Sequence, residues 1–580
     1  MKLSRLLAIA VVFFGITSVS KAQTVTPRLV GGGSSALFNE LGSGSQHITG
    51  TAAQTITCIW TQAKNANAVA RDPRNGSTYD EQGQIWVAWS QGDGSGASCG
   101  TPAGNLDAYV YIQLDSVVGD RCFFLVDSGG VSGCQLIFNW GAGQAGSNLI
   151  SGLTDTAIPG VVVTAIQNKR FNLAGTDVRP EDAKFATVRA FAPCNTLIPR
   201  QFFNQDSYFT FGLGYASGTP HIGVAILEDP SAGTGHFNVL DFNIFGTDPQ
   251  TSQNVPAFQT YAIGAQPMII GVSPISDTAG IGAASDINTF TLALFQQGVL
   301  GRTTDLFGTP TTAKAVDLYV REPLSGTYNT MEYNVPNGTQ YHASQDFANC
   351  NSSGTVAQNP MGTGASSGYN IGIPSIGGVT PGRHRAIGTK DMITALEAGT
   401  TTNNRMGYFF WSAGNASGLT NVKYLKVNGI DPLLDPAVTA YNGVLPGSGG
   451  TGDPTLTAVA FTGLKAGNYP IWSVLRLVGP PSSADVNRLL TGLNVITSTQ
   501  HDFVTLATLP VWRSHFFLNG IGMSTAQAAT GNTINSLNDL CTGSVAEGGG
   551  DVGGSIVPVV ANKDFCSDFG VTQGLLNKTQ

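Results

Sequence analysis

Short apolar runs punctuated by Gly, Ser, Thr and Pro recur along this chain, and their spacing predicts strands alternating with helices. Val25–Val30 reads as a strand, Gly31-Gly32-Gly33-Ser34-Ser35 as a turn, and Ala36–Leu41 as the start of a helix. Between residues 42 and 105, Gly-, Ser- and Thr-rich loops surround one clear strand, Ile85–Trp89. Ala108–Leu114 alternates as a strand, and Asp115-Ser116 can cap a following helix. Gly160–Ile166 and Phe171–Gly175 read as further strands, and Thr176-Asp177 leads into a helix opening at Pro180-Glu181-Asp182. Phe237–Phe245 is a strand-like patch within loops and reads as part of an insertion. Tyr261–Pro274 is strongly apolar, and Ile287–Phe295 reads as an amphipathic helix. Ala315–Val320 reads as a strand, Met331-Glu332-Tyr333 as a helix start, Asp391–Glu397 as a helix and Met406–Trp411 as a strand. A strand from Tyr469 to Val478 and a helix over Asp485–Leu493 precede a Gly-, Asn-, Ser- and Thr-rich tail from Asn519. Strands alternating with helices predict an α/β fold.

Composition narrows the class. Charged residues make up 11% of the chain, against about 25% in ordinary domains. Gly accounts for 74 of 580 residues. Low charge and abundant Gly suit an exported protein with many loops, and 42% hydrophobic content supports sizeable cores. Lys2 and Arg5, the apolar run Leu6–Thr17 and the small residues of Ser20-Lys21-Ala22 predict a cleaved export leader over 1–22. No later apolar run is long enough to span a bilayer, so no membrane span is expected in the mature chain. Without the leader the net charge moves from −8 to −11, which argues against a nucleic-acid partner. The eight Cys contain no CxxC pair, so disulfides are expected and no metal or other cofactor is. Cys541–Cys566 would staple the Gly-rich tail; Cys122–Cys134 and Cys58–Cys99 come next, with the connectivity open.

Candidate chemistry gathers where strands hand over to helices. Arg321-Glu322-Pro323-Leu324-Ser325-Gly326-Thr327 stands between a strand and a helix. A helix N-terminus offers N–H donors and a positive dipole end, Gly permits close approach, and hydroxyls with a guanidinium complete an anion grip. Gly31–Ser35, Asp115-Ser116 near Gly119, and Gly175-Thr176-Asp177 are three further junctions of this kind. Taken singly, each has a plainer reading as a Gly-rich turn or a helix cap. Taken together, they match the rule that ligands collect beyond the carboxyl ends of strands in open α/β sheets. An Asp in such a site selects an oxyanion that still carries a proton.

The order of these segments resembles the phosphate-binding proteins of bacterial ABC uptake systems, within the type 2 substrate-binding protein superfamily. Gly31–Ala36 resembles the Gly-Ala-Gly-Ala-Thr-Phe segment that opens those chains. Ile112–Gly119 resembles their strand ending in Ser, Phe171–Asp177 their Asp-Phe-Gly-Ala-Ser-Asp, and Arg321–Thr327 their Arg-x-x-x-Ser-Gly-Thr. Gly407-Tyr408 and Tyr469-Pro470-Ile471 are similar to further segments of the family. The family usually has an acid two positions before the Ser of Ser-Gly-Thr; here Pro323 stands there, and Glu322 adjoins Arg321.

The resemblance implies a two-lobed fold, each lobe a mixed sheet flanked by helices, with loop-rich insertions. It implies a first lobe over 23–265, a second over 266–468, and a return to the first lobe with the tail over 469–580. Ser35, the amide of Ala36, Ser116 and Asp177 would meet the ligand from the first lobe, and Arg321, Ser325, Gly326 and Thr327 from the second. The implied function is capture of an oxyanion, phosphate foremost, in the periplasm or outside the cell, with an ABC transporter complex as partner.

Two other classes compete. A hydrolase would use Ser325 with His342 or His384, but the chain has no Gly-x-Ser-x-Gly elbow and no His-Glu-x-x-His pair. A surface or matrix protein on a binding-protein scaffold would suit the Gly- and Thr-rich loops and the low charge.

Overall fold

The computed structural model describes, with short gaps, residues 23–178, 242–335 and 375–504, and short strands at 369–370, 512–513, 533–534 and 551–552. The leader, the helix opening at Pro180, most of Phe237–Phe245, His342, the Cys541–Cys566 pairing and most of the tail lie outside the described residues.

The main strands are β1 (Thr24–Gly33), β2 (Ile56–Gln62), β3 (Ile85–Ser90), β4 (Asn105–Gln113), β5 (Leu173–Thr176), β6 (Phe258–Ser273), β7 (Val316–Arg321), β8 (Gly382–Ala386), β9 (Asn404–Phe410) and β10 (Trp472–Gly479). The helices that bear on the site are α1 (Phe38–Ser45), α2 (Ser116–Phe124), α3 (Gly326–Asn334), α4 (Gly388–Glu397) and α5 (Ala484–Gln500). The fold is α/β, with one large mixed sheet flanked by helices. Its path runs β8-β7-β9-β6-β10-β5-β1-β4-β3-β2.

Two halves are visible along that path. In one, β1 lies between β4 and β5, parallel to both. In the other, β7 lies parallel to β8 and β9. The long strand β6 joins them: its first part pairs with β10 and its last part with β9, both antiparallel. Strand β10 continues from β6 to β5. Both faces of the sheet are covered, as parallel strands require. In β4, Leu106, Ala108, Val110 and Ile112 enter one apolar cluster, while Tyr109 and Tyr111 enter another on the opposite face.

Gly31–Gly33, expected in a turn, instead complete β1. A Cβ at Gly33 would lie 2.1 Å from the Gly175 carbonyl oxygen, and its φ of +138° suits Gly alone. The turn follows as a short 3-10 segment, Ser35–Leu37, capped by Ser34. Gly160–Ile166, expected as a strand, is a helix. Its β-branched residues favour a strand locally, but Val162 and Ile166, one helical turn apart, are the positions buried in the core, with Val161 and Val163 packed at its edge.

Where the halves meet, Glu40 of α1 and Asp502 beyond α5 are both buried. Gln266 of β6 donates to Glu40 Oε1 at 3.4 Å and to the Asp502 carbonyl at 3.3 Å, and Asp502 Oδ1 accepts the Ala413 amide at 2.6 Å. Burial, and then the Asp502 charge, push the Glu40 carboxyl well above its ordinary range; burial pushes Asp502 up to about 7.

Two disulfides, Cys58–Cys99 and Cys122–Cys134, brace the first half. They close loops with separations of 41 and 12 residues. Chain entropy therefore makes the first the larger contributor by about 1 kcal/mol. Thermal melts of the C58S/C99S and C122S/C134S variants are expected to fall below wild type, the former further. Equal melting temperatures in all three would remove the bridges from the account of stability.

Candidate functional site

Strand register brings the predicted junctions together. Gly33 is paired with both Gln113 and Gly175, so β1, β4 and β5 end level with one another. Ser34-Ser35, Asp115-Ser116 and Asp177 therefore emerge side by side. In the other half Arg321 is paired with Ala386, so the end of β7 lies level with the end of β8.

Arg321 ties the halves together. It is 1% exposed. Its Nη2 donates to Ser35 Oγ at 3.3 Å, and its Nη1 donates to Thr327 Oγ1 at 3.3 Å and to Thr389 Oγ1 at 3.1 Å. Ser35 Oγ and Thr389 Oγ1 are themselves 2.8 Å apart. The Arg321 backbone amide donates to the Tyr408 hydroxyl at 3.2 Å, which holds the end of β7 against β9.

The α3 helix, expected to open at Met331, starts earlier, at Gly326. Ser325 is its N-cap, with Oγ accepting the Thr327 amide at 3.1 Å. A helix start this close to Arg321 brings its positive end to the Arg321 side chain's surroundings. Gly326 faces Asp177 and Ser116 so closely that a Cβ there would lie 1.3 Å from Asp177 Oδ1 and 2.5 Å from Ser116 Oγ.

Asp177 accepts a hydrogen bond from Ser116 Oγ, and Ser473 Oγ of β10 donates to its carbonyl at 2.9 Å. Burial pushes the Asp177 carboxyl up to about 6, against the lowering effect of Ser116, Arg321 and Arg476. The protonated acid is therefore favoured in the native state. That contribution to stability is fully present below the ordinary carboxylate range and is lost as the pH rises through about 6. In melting curves of the ligand-free protein, Asp177→Asn is expected to flatten this fall between about pH 4 and 6.5. An unchanged profile would show that the carboxyl stays ionised throughout.

Ser35, Ser116, Asp177, Arg321, Ser325, Gly326 and Thr327 thus lie in one connected cluster, each within one contact of another member. Ala36 is adjacent, but its amide donates to Ser34 Oγ at 3.2 Å. Thr389 was not among the expected site residues. The strand before it, Gly382–Ala386, carries Arg383, His384 and Arg385 where an apolar run would have flagged it. The available signal was Gly388-Thr389 just ahead of the helix read at Asp391–Glu397. A cavity of about 100 Å³ opens beside Ser35 and Thr389, bordered by Asn39, Gln113, Lys390 and Asn415. Of the hydrolase candidates, Ser325 is engaged as the helix cap, and His384 Nε2 faces Asp317 Oδ2 at 3.4 Å while its ring stacks on Tyr319.

No family model matches this chain, and no curated protein sequence does. Among solved structures, it is similar to a human phosphate-binding apolipoprotein at 12% identity, covering 83% of this chain and 91% of that one, with a TM-score of 0.31. A phosphate-binding protein from Stenotrophomonas maltophilia is similar at 15% identity, covering 68% and 78%, with a TM-score of 0.29. PstS from Borrelia burgdorferi is similar at 14% identity, covering 42% and 68%, with a TM-score of 0.23. At these identities the likeness concerns the fold alone. Among the described residues no helix is long and apolar enough to cross a membrane.

Proposed function

We propose that this protein is an exported receptor that holds a tetrahedral oxyanion, phosphate foremost, between two lobes and hands it to an ABC-type membrane complex. The lobes correspond to 23–265 with the returning segment from 469, and to 266–468. The observation that carries the reading is the Arg321 guanidinium, buried and bonded to hydroxyls from both halves of the sheet, with Asp177 and the start of α3 beside it. The bonds that now link Arg321 to Ser35 and Thr389, and Ser116 to Asp177, are ones an oxyanion would take over. Its oxygens would accept from Arg321, Ser35, Ser116, Thr327, Thr389 and the amides at the start of α3. Its proton would go to Asp177 as a hydrogen-bond donor. Entry and release would follow opening and closing of the halves about β6 and β10. No bond is made or broken in this scheme.

Titration with phosphate tests it. A receptor gains thermal stability by mass action, by about 2.7 kcal/mol at a hundredfold excess over Kd. Isothermal calorimetry should show one site per chain. A surface protein that had retired the site would show neither effect, and turnover of a phosphate ester would favour the hydrolase.

A further inference from the structure

Away from Arg321, the two halves meet over a pair of buried carboxyls. Glu40 of α1 is 0% exposed, and Asp502, beyond α5, is 2% exposed. Helix α5 packs on α1, so both acids sit on the first half. Among the described residues neither has a Lys, Arg or His as an ion-pair partner. The cover over them comes from the second half. Ser412 caps the short helix Ala413–Ala416 that follows β9, and the Ala413 amide donates to Asp502 Oδ1 at 2.6 Å. Beside them, Asn39 Nδ2 of α1 donates to Asn415 Oδ1 at 3.5 Å. Gln266, which bridges Glu40 Oε1 and the Asp502 carbonyl, sits where β6 changes partners: Pro267 pairs with Trp472 of β10, and Met268 with Phe410 of β9. The acid pair is therefore placed at the crossing point between the halves.

We propose that Glu40 and Asp502 form a proton-linked latch: closure of the two halves takes up protons at this pair, and their loss favours opening. The proposal rests on the oxyanion-binding reading above, with its closure about β6 and β10. Withdrawal of Ser412–Ala416 would admit water to both carboxyls. In water a carboxylate is well solvated. Buried without a cation its charge is costly, and a second like charge beside it costs more. Burial, then the Asp502 charge, raise Glu40 against hydrogen bonds from Gln266 and Ser412, and burial raises Asp502 to about 7 against the Ala413 amide. Both groups thus bind protons more tightly when covered. Their contribution to the closed state is fully present below the ordinary carboxylate range and is lost as the pH rises through about 7. Among the described residues, Tyr111 of β4 faces Glu40; its hydroxyl donates to the Ser34 carbonyl at 2.8 Å and is held neutral by burial and by the Asp177 and Glu40 charges. Lys390, exposed in the first turn of α4, borders the cavity that Asn39 lines. His501, the residue before Asp502, lies outside the described residues.

Calorimetry with phosphate at about pH 5.5 and 8.5, on wild type and on the double variant Glu40→Gln with Asp502→Asn, tests this. Circular dichroism shows that each protein is folded at both pH values. The double variant keeps the shape of the pair but has no proton to lose there. Ionisation of phosphate and of Asp177 acts on both proteins alike, so the ratio of variant to wild-type affinity isolates the pair. That ratio is expected to be about tenfold or more higher at the upper pH, the scale of one proton held up to about 7 and released on opening. If the double variant does not fold, Asp502→Asn alone is read in the same way. A ratio that is equal at the two pH values, or that falls, overturns the latch and leaves the acids structural. Wild type binding no phosphate at either pH would instead overturn the oxyanion reading itself.

Discussion

Arg321→Ala is expected to weaken phosphate binding by about 2–5 kcal/mol, the cost of truncating one partner of a buried charged contact. That corresponds to roughly 30-fold to a few thousand-fold in Kd. The expectation follows from what the side chain does. It is buried, it is bonded to Ser35 from one half and to Thr327 and Thr389 from the other, and it is the cation facing Asp115. Removing it takes away the buried cation that faces Asp115 and acts on Asp177, so an anion would meet less attraction there. Arg321→Lys separates charge from shape: it restores a cation but not the planar fork, and should recover only part of the loss. Calorimetry gives the affinities, and circular dichroism shows whether the fold survives. Phosphate affinity unchanged in folded Arg321→Ala would place the ligand elsewhere or nowhere.

Gly326→Ala should act through geometry rather than charge. The added methyl would lie 1.3 Å from Asp177 Oδ1 and 2.5 Å from Ser116 Oγ. Both groups are buried and bonded to each other, so they have no room to withdraw. The start of α3 must then move back from Asp177, and with it the half of the sheet that carries β7. Overpacking of this kind typically costs 1–3 kcal/mol, here set against closure rather than against folding of either half. The variant is expected to bind phosphate about ten- to a hundredfold more weakly or worse. Small-angle scattering should show that phosphate no longer compacts it. Wild-type affinity in Gly326→Ala would mean that the approach of Gly326 to Asp177 is not part of the bound state.

Both predictions rest on contacts whose partners are distant in sequence. Ser35, Ser116, Asp177 and the Arg321–Thr327 segment could be picked out because each sits where an apolar run gives way to polar and Gly residues, which is a local signal. What each would touch was not legible, since the level ends of β1, β4 and β5 depend on strand pairing. Thr389 was missed because the strand before it carries charged residues. Asp115-Ser116 reads as a junction with candidate chemistry whose plainer meaning is a helix cap; the 3.9 Å approach of Asp115 to Arg321 is seen only in the tertiary structure.

The sequence by itself determined the α/β class, most of the strands, and a set of strand-to-helix junctions rich in donors, because periodicity, Gly and capping chemistry act over a few residues. The tertiary structure alone decided that Gly160–Ile166 is a helix, since the cost or gain of burying Val162 and Ile166 depends on the core they meet. It alone decided that Gly31–Gly33 belong to a strand, because the space that excludes a side chain there is made by β5 at Gly31 and Gly33 and by Ile112 of β4 and Phe171 at Gly32. It also decided the charges around Arg321: Asp115 lies 3.9 Å from its Nη2, and both Arg321 and Arg476 act on the buried Asp177. Coulomb interactions depend on distance through space and on exclusion of water, and neither is written in the spacing of residues along a chain.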